Sequence, residues 1–289
     1  MKTSFKFNHQ NYEADLRKGT SLVRMPSIFP VDTEQAFDVG NLKIEATAFK
    51  DGDFIGDVAA GGSCNVDVLK INPHCSTTHT ETVLHIVHRQ KWALKNLSVA
   101  DVEFPIMIPC ILLSVELTSG DLAQRSGQTY QPEMATRDQV VTEAAIAEAL
   151  ENLKLETASI KDAWALVIRT PQSGRWSYDS ADAVPYLTRE AMALVSDSNC
   201  RHLLVDLPSV DRRADDGLLV NHHQFWNVDE DGRVESGVRS DRTITELLEV
   251  PTSLRDGVYL LDLQLIPLPT DATLSCPVLF STEQTLGSV

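Results

Sequence analysis

Apolar and polar residues alternate differently in the two halves of the chain. Between residues 42 and 70, short runs such as LKIEATAF and NVDVLKI alternate with period two, which predicts strands. Asp51-Gly52-Asp53 has the chemistry of a hairpin turn between strands. The most apolar stretch, FPIMIPCILLSV (Phe104–Val115), is broken by Pro105 and Pro109. It is far shorter than the ~20 residues a membrane-spanning helix needs and predicts a buried strand. Further on, Thr136-Arg-Asp-Gln139 has capping-box spacing and opens VVTEAAIAEALENL, an amphipathic helix. AWALVIRT (163–170) and HLLVDLPSV (202–210) are continuous apolar runs and predict buried strands, LTREAMALVSDS (187–198) predicts a helix, and GVYLLDLQLIPLP (257–269) alternates like a strand. Pro26 and Pro30 break any long element in residues 1–40, which form an N-terminal arm. STEQTLGSV, residues 281–289, has the look of a loose or partner-docked tail. Strands dominate the first half and interleave with helices in the second, so a single mixed α/β (α+β) domain spanning 1–289 is expected.

Composition narrows the partners. Across 289 residues, 41 acidic side chains oppose 25 basic ones, a net charge of −16. Nucleic acids and anionic membranes are bound by neutralising phosphates with Lys and Arg, so both are excluded as general partners and a small-molecule substrate is the expectation. The five cysteines are an odd number without CxxC spacing, which indicates neither a disulfide framework nor a thiolate zinc site. The first sixteen residues lack the apolar run of a secretory signal, and a cytoplasmic protein is expected.

The histidines are unevenly placed. His74, His79, His85 and His88 fall within fifteen residues, with Glu81 among them. Imidazole and carboxylate are the usual ligands of zinc, manganese and iron. His79 and Glu81, two apart, share a face of an extended segment; Glu81 and His85, four apart, share a face of a helix. In one continuous strand His79 and His85 would stand ~20 Å apart. The cluster is therefore coherent only if an extended segment ends near His79 and a helical turn begins near Glu81. Spacing alone fits a solvated face equally well.

A second constellation lies downstream. His222-His223 follow the turn Asp215-Asp216-Gly217, and Glu246 sits among apolar neighbours in TITELL. A glutamate there must be exposed, paired or metal-bound, because burying it alone costs several kcal/mol. A helix cap for the histidines and a solvent-facing helix position for Glu246 are the alternatives. Trp164, Trp176 and Trp226 are candidates for an aromatic pocket or for core packing; Trp226, four residues from His222, is the best placed as a substrate contact. Asp206 and Asp211 could orient ligands or cap a turn, and Arg169 could meet a substrate carboxylate or pair structurally. Cys75 with His74 or His79 as base would make a cysteine hydrolase, but strand neighbours point to opposite faces.

HCSTTHTETVLH (74–85) resembles the signature HxGTHxDxPxH of the metal-dependent cyclase family, which includes bacterial kynurenine formamidase (an arylformamidase) and isatin hydrolase. Thr78-His79 matches the TH pair, Glu81 stands at the Asp position and His85 matches the last His. VIRT (167–170), HLLVDLPSVD (202–211), NHHQFW (221–226), ITELLEVP (244–251) and LLDLQLIPL (260–268) are similar to later family blocks in the same order, so the resemblance runs from about residue 40 to 280. It implies a β-barrel-like core flanked by helices, homo-oligomers, and one or two divalent ions, zinc or manganese, on His74, His79, Glu81, His222 and Glu246. His85 would transfer protons, and His222 rather than His223 matches the recurrent position. Departures mark a divergent branch: His74 and His79 are five apart rather than four, Thr77 replaces Gly, Val83 replaces Pro, and Leu247 follows Glu246 where formamidases commonly have Asn. The implied activity is hydrolysis of an amide, formamide, lactam or ester. A non-catalytic metal- or ligand-binding protein on the same scaffold is the second reading.

Overall fold

The computed structural model describes residues 1–24, 44–88, 97–155, 163–171, 184–233 and 237–285. The chain opens with a hairpin, Lys2–Phe7 (β1) and Gln10–Ser21 (β2), turning through Asn8 and His9 at positive φ as a two-residue hairpin turn requires. Two short ribbons follow: Glu45–Ala48 (β3), Lys50–Asp51 (β4), Phe54–Ile55 (β5) and Asp67–Lys70 (β6), with β3 paired to β6 and β4 to β5 through Gly52. Next come one helical turn, Pro73–Ser76 (α1), the three-residue strand His79–Glu81 (β7) and a 3₁₀ turn, Val83–His85. The remaining elements are Ile108–Ser114 (β8), Thr118–Ser119 (β9), Gly120–Arg125 (α2), Gln139–Val141 (β10), Glu143–Asn152 (α3), Ala165–Arg169 (β11), Tyr186–Leu187 (β12), Arg189–Ser196 (α4), His202–Val205 (β13), Val220–Trp226 (α5), Thr243–Glu246 (β14), Gly257–Leu265 (β15) and Ala272–Thr285 (β16).

Seven strands close a barrel. Around the ring they run β8-β11-β13-β14-β7-β16-β15 and back to β8. The four strands β8, β11, β13 and β14 are parallel, and the pairings through β7, β16 and β15 are antiparallel. The β1–β2 hairpin extends the sheet outward from β16. The parallel strands read as continuous apolar runs because both of their faces are buried. Leu166, Ile168, Leu203 and Val205 pack with Ile146 and Leu150 of α3, Met192 and Val195 of α4, and Phe225 and Trp226 of α5. The alternate residues Ala165, Val167 and Leu204 pack with Leu261, Leu263 and Leu279 from β15 and β16.

Several expectations change in detail. The long helix starts at Glu143, where Thr142 Oγ1 accepts from Ala145 N (3.2 Å). Gln139–Val141 is a strand between β9 and β12, and Asp138 of the supposed capping box is buried, accepting from Ala135 N (2.9 Å) and the Tyr186 hydroxyl (2.7 Å). Pairing of the backbone on both sides outweighs the local cap. Residues 281–285, expected as loose tail, continue β16: Ser281 pairs with Tyr259 of β15 and 282–285 with β2; 286–289 lie outside the described residues, as do Pro26, Pro30 and Trp176. Among the described residues no helix is long and apolar enough to cross a membrane.

Asp206 follows β13 directly. Its carboxylate accepts from Thr170 N (2.8 Å) and Thr170 Oγ1 (3.0 Å). Burial pushes its pKa up to about 7, against the lowering effect of these bonds and of Arg169. A folded-state pKa above the unfolded value of ~4 means a contribution fully present below ~4 that is lost as pH rises through about 7. Asp206→Asn cannot ionise, so the stability of the native chain relative to the variant should fall between about pH 4 and about pH 7 in urea unfolding and level off above that. A difference that does not vary with pH would show that Asp206 stays ionised.

Candidate metal centre

Local geometry delivers each histidine. Asn72 Oδ1 accepts from His74 N (3.2 Å), and Pro73 at the first helical position fixes the turn α1 that carries His74. The chain then extends at Thr77, and His79 and Glu81 enter the barrel wall between β14 and β16. Their two-residue spacing puts both side chains on one face, and Glu246 stands opposite His79 in the register. The 3₁₀ turn over Val83–His85 brings His85 back above Glu81. The expected succession of extended segment and turn is present, with the turn two residues later than anticipated.

Helix α5 is anchored at its start. Asp215 accepts from Gly217 N (2.9 Å) and Leu219 N (2.7 Å), and Asn221 Nδ2 donates to Leu187 O and Val210 O (2.8 Å each). His222 faces inward from this helix. His223 turns away, its Nδ1–H donating to Val228 O (3.1 Å). Glu246 lies in a strand rather than on a solvent-facing helix, and Val210 N donates to its Oε1 (2.9 Å). Leu247, the next residue, has φ +58°, where Asn is better tolerated than Leu; its carbonyl accepts from the Thr78 hydroxyl (2.6 Å).

Four imidazoles and two glutamates converge. His222 Nε2 is 2.8 Å from Glu81 Oε1, His74 Nδ1 is 3.1 Å from Glu81 Oε2, and His85 Nε2 is 3.9 Å from the same oxygen. Glu246 lies 3.6 Å from His79 Nε2 and 3.7 Å from His222 Nε2. The outer nitrogens are held as well. His222 Nδ1–H donates to Asp211 Oδ2 (2.5 Å), which also accepts from His222 N (3.1 Å). The second Asp211 oxygen accepts from the Tyr130 hydroxyl (2.7 Å) and Asn221 N (2.8 Å). His79 Nδ1–H donates to Thr77 O (3.1 Å). The outer nitrogens of His74 and His85 face Asp271, at 3.0 and 3.6 Å.

The donor set fits a divalent cation. His79 Nε2 is buried without a hydrogen-bond partner, an expensive arrangement for a polar atom unless a further group meets it. Burial alone would raise the Glu81 pKa; the charges of His85 and His222, with hydrogen bonds from His222 and His74, hold it well below the usual carboxylate range. Burial works against a proton on His74, but Asp271 and Glu81 push its pKa up to about 10. Burial likewise disfavours charged His222, and Glu81 and Asp211 overcome it. Without a cation, protons on imidazoles balance the carboxylates. The ligand atoms of His79, Glu81 and Glu246 lie within 4.8 Å of one another, and so do those of His74, Glu81 and His85. Glu81 belongs to both groups and joins them.

Other candidates resolve differently. Trp226, expected to touch substrate, is fully buried: its ring lies 5.6 Å from that of His222 and its Nε1–H donates to Arg242 O (2.9 Å), so it packs behind the His222 ring. Trp164 is partly exposed beneath the Arg201 guanidinium. Burial raises the Cys75 pKa, which disfavours a thiolate nucleophile. Arg169 pairs with Asp256 (2.9 Å) and donates to Pro251 O and Leu254 O, a structural role. Asp271 has no signature around it in the sequence and escapes sequence reading altogether.

A closed seven-stranded barrel with a His/Glu cluster in its wall defines a class of α/β proteins. The family model described as "Putative cyclase" matches residues 19–212, more than half of the chain, and the chain belongs to that cyclase family. Among solved structures, an isatin hydrolase bound to the product analogue thioisatinate is 11% identical, with TM-score 0.58 over 91% of this chain and 93% of its own. Isatin hydrolase A from Labrenzia aggregata is 14% identical, with TM-score 0.55 over the same shares. A potential metal-dependent hydrolase with cyclase activity is 15% identical, with TM-score 0.52 over 91% of this chain and 98% of its own. These likenesses establish the barrel fold. No curated protein matches the chain.

Ligating imidazoles must lose their protons, and His74 and His222 hold theirs more firmly than free histidine. Zinc uptake by the chelated chain should therefore release protons near neutral pH and tighten as pH rises. Calorimetry in buffers of different ionisation enthalpy reads the release; zero protons released would contradict ligation by these two rings.

Proposed function

We propose that the chain is a metal-dependent hydrolase that cleaves an amide, formamide, cyclic amide or ester bond in a small molecule. The carrying observation is the convergence of His74, His79, His85 and His222 on Glu81 and Glu246, with the buried His79 Nε2 left without a hydrogen-bond partner. Membership of the cyclase family and the hydrolase names of its structural neighbours support the reading. His74, His79, Glu81, His222 and Glu246 would hold zinc or manganese, one ion or two. Such a cation supplies a water whose pKa falls towards ~7 and polarises the scissile carbonyl.

The chain's own groups do the rest. Glu81 offers its two oxygens to different histidines, Oε1 to His222 and Oε2 to His74 and His85, and so ties both ligand groups together. Val210 N holds Glu246 in place. His85 is partly exposed, with Nε2 facing Glu81 Oε2, which suits it to accept the proton of the attacking water and pass it to the leaving nitrogen or oxygen. The same reading takes in a homo-oligomer in the cytoplasm.

A panel of N-formyl amides, cyclic amides and simple esters tests this, with the chain chelated and then reloaded with zinc or manganese. Activity should vanish on chelation and return with metal. His79→Ala should lose metal and activity together, whereas His85→Ala should keep metal and lose about 10²–10⁴ in rate. Undiminished activity of the metal-free chain would sink the proposal. Metal uptake with no turnover across the panel would favour a binding protein instead.

A further inference from the structure

Asp271 lies in the link between β15 and β16, immediately before β16 begins at Ala272. Its backbone is pinned to the histidine segment: Thr82 N donates to Asp271 O (2.9 Å). Its Oδ2 lies 3.0 Å from His74 Nε2 and 3.6 Å from His85 Nδ1. The two rings lie side by side and tilted, with centroids 4.4 Å apart and planes 30° apart. One carboxylate oxygen therefore meets the outer nitrogen of both rings, while their inner nitrogens, His74 Nδ1 and His85 Nε2, face Glu81 Oε2.

A neutral imidazole has one N–H and one lone pair, and an outer carboxylate fixes which nitrogen carries which. Asp211 does this for His222, with Nδ1 held outside and Nε2 towards Glu81. The geometry points to Asp271 as a positioning residue that sets the tautomer and orientation of His74 and His85 together. His74 then presents Nδ1 inward, whereas His79, His85 and His222 present Nε2. The 3.6 Å separation to His85 is longer than a hydrogen bond, so the hold on His74 is the tighter of the two. This inference rests on the proposed metal-dependent reading, and its test separates the two.

The test uses the full chain with ¹⁵N-labelled histidine, loaded with zinc alone, and long-range ¹H–¹⁵N correlation. His74 should carry its proton on Nε2 and His85 on Nδ1. In Asp271→Asn both rings should lose this fixed pattern while His222 keeps its own, and zinc affinity should fall about 10–100-fold. His74 protonated on Nδ1 in the zinc-loaded native chain would overturn the inference. So would an Asp271→Asn chain with unchanged tautomers and zinc affinity. If that variant does not fold, the native spectrum decides alone. A native chain that takes up no zinc overturns the metal-dependent reading and this inference with it; zinc uptake with the wrong tautomers overturns only the role of Asp271.

Discussion

The structure turns on one buried carboxylate. Glu81 is fully inaccessible, and an isolated ionised carboxylate in such a place is prohibitive. Its charge is tolerated because His222, His74 and His85 surround it. The same residue belongs to β7, the three-residue strand that joins β14 to β16 and closes the barrel. Barrel closure and charge compensation are therefore a single constraint. An ionised Glu81 cannot sit in the wall unless positive charge meets it there, as imidazolium or as a metal ion.

Meeting that constraint takes ordered surroundings rather than loose contacts. His222 is fixed by Asp211, itself held by Tyr130 and Asn221, and His79 is fixed by the Thr77 carbonyl. The Thr78 hydroxyl donates to the carbonyl of Leu247, a bulky residue in the left-handed region. That conformation costs roughly 1–2 kcal/mol. Thr78 and Leu247 each adjoin a candidate ligand, so the strained turn ties the exit of β14 to the TH pair. Ligands held this way reach a cation with little reorganisation.

What could be read from the sequence follows from which forces are local. The strands around 165–169 and 202–205 were legible because burial on both faces leaves continuous apolar runs. The bend between His79 and His85 followed from the rise of a strand, which forbids a single extended segment. The ordered blocks after the signature anticipated the barrel. Closure of the ring was not legible: β7 has three residues, His-Thr-Glu, with no apolar period, and its strand character comes from neighbours some 165 and 190 residues later in the chain. Thr142 replaced the Thr136 cap for a similar reason, since pairing with β9 and β12 claims Gln139–Val141. Asp271 was invisible because a contact spanning 197 residues of chain leaves no spacing to recognise.

Two departures from the family signature become intelligible together. His74 is one residue further from His79 than the pattern allows, and it sits on a helical turn rather than in line with β7. Glu81 has one methylene more, and its two oxygens span the gap, Oε1 at His222 and Oε2 at His74. The longer carboxylate and the displaced histidine thus meet in the structure, with His74 Nδ1 3.1 Å from Glu81 Oε2. The net charge of −16 has little bearing on this local balance. Around Glu81 the carboxylates are matched by imidazoles, and a divalent ion in place of the imidazole protons would leave a centre able to attract a small anion inside an acidic protein.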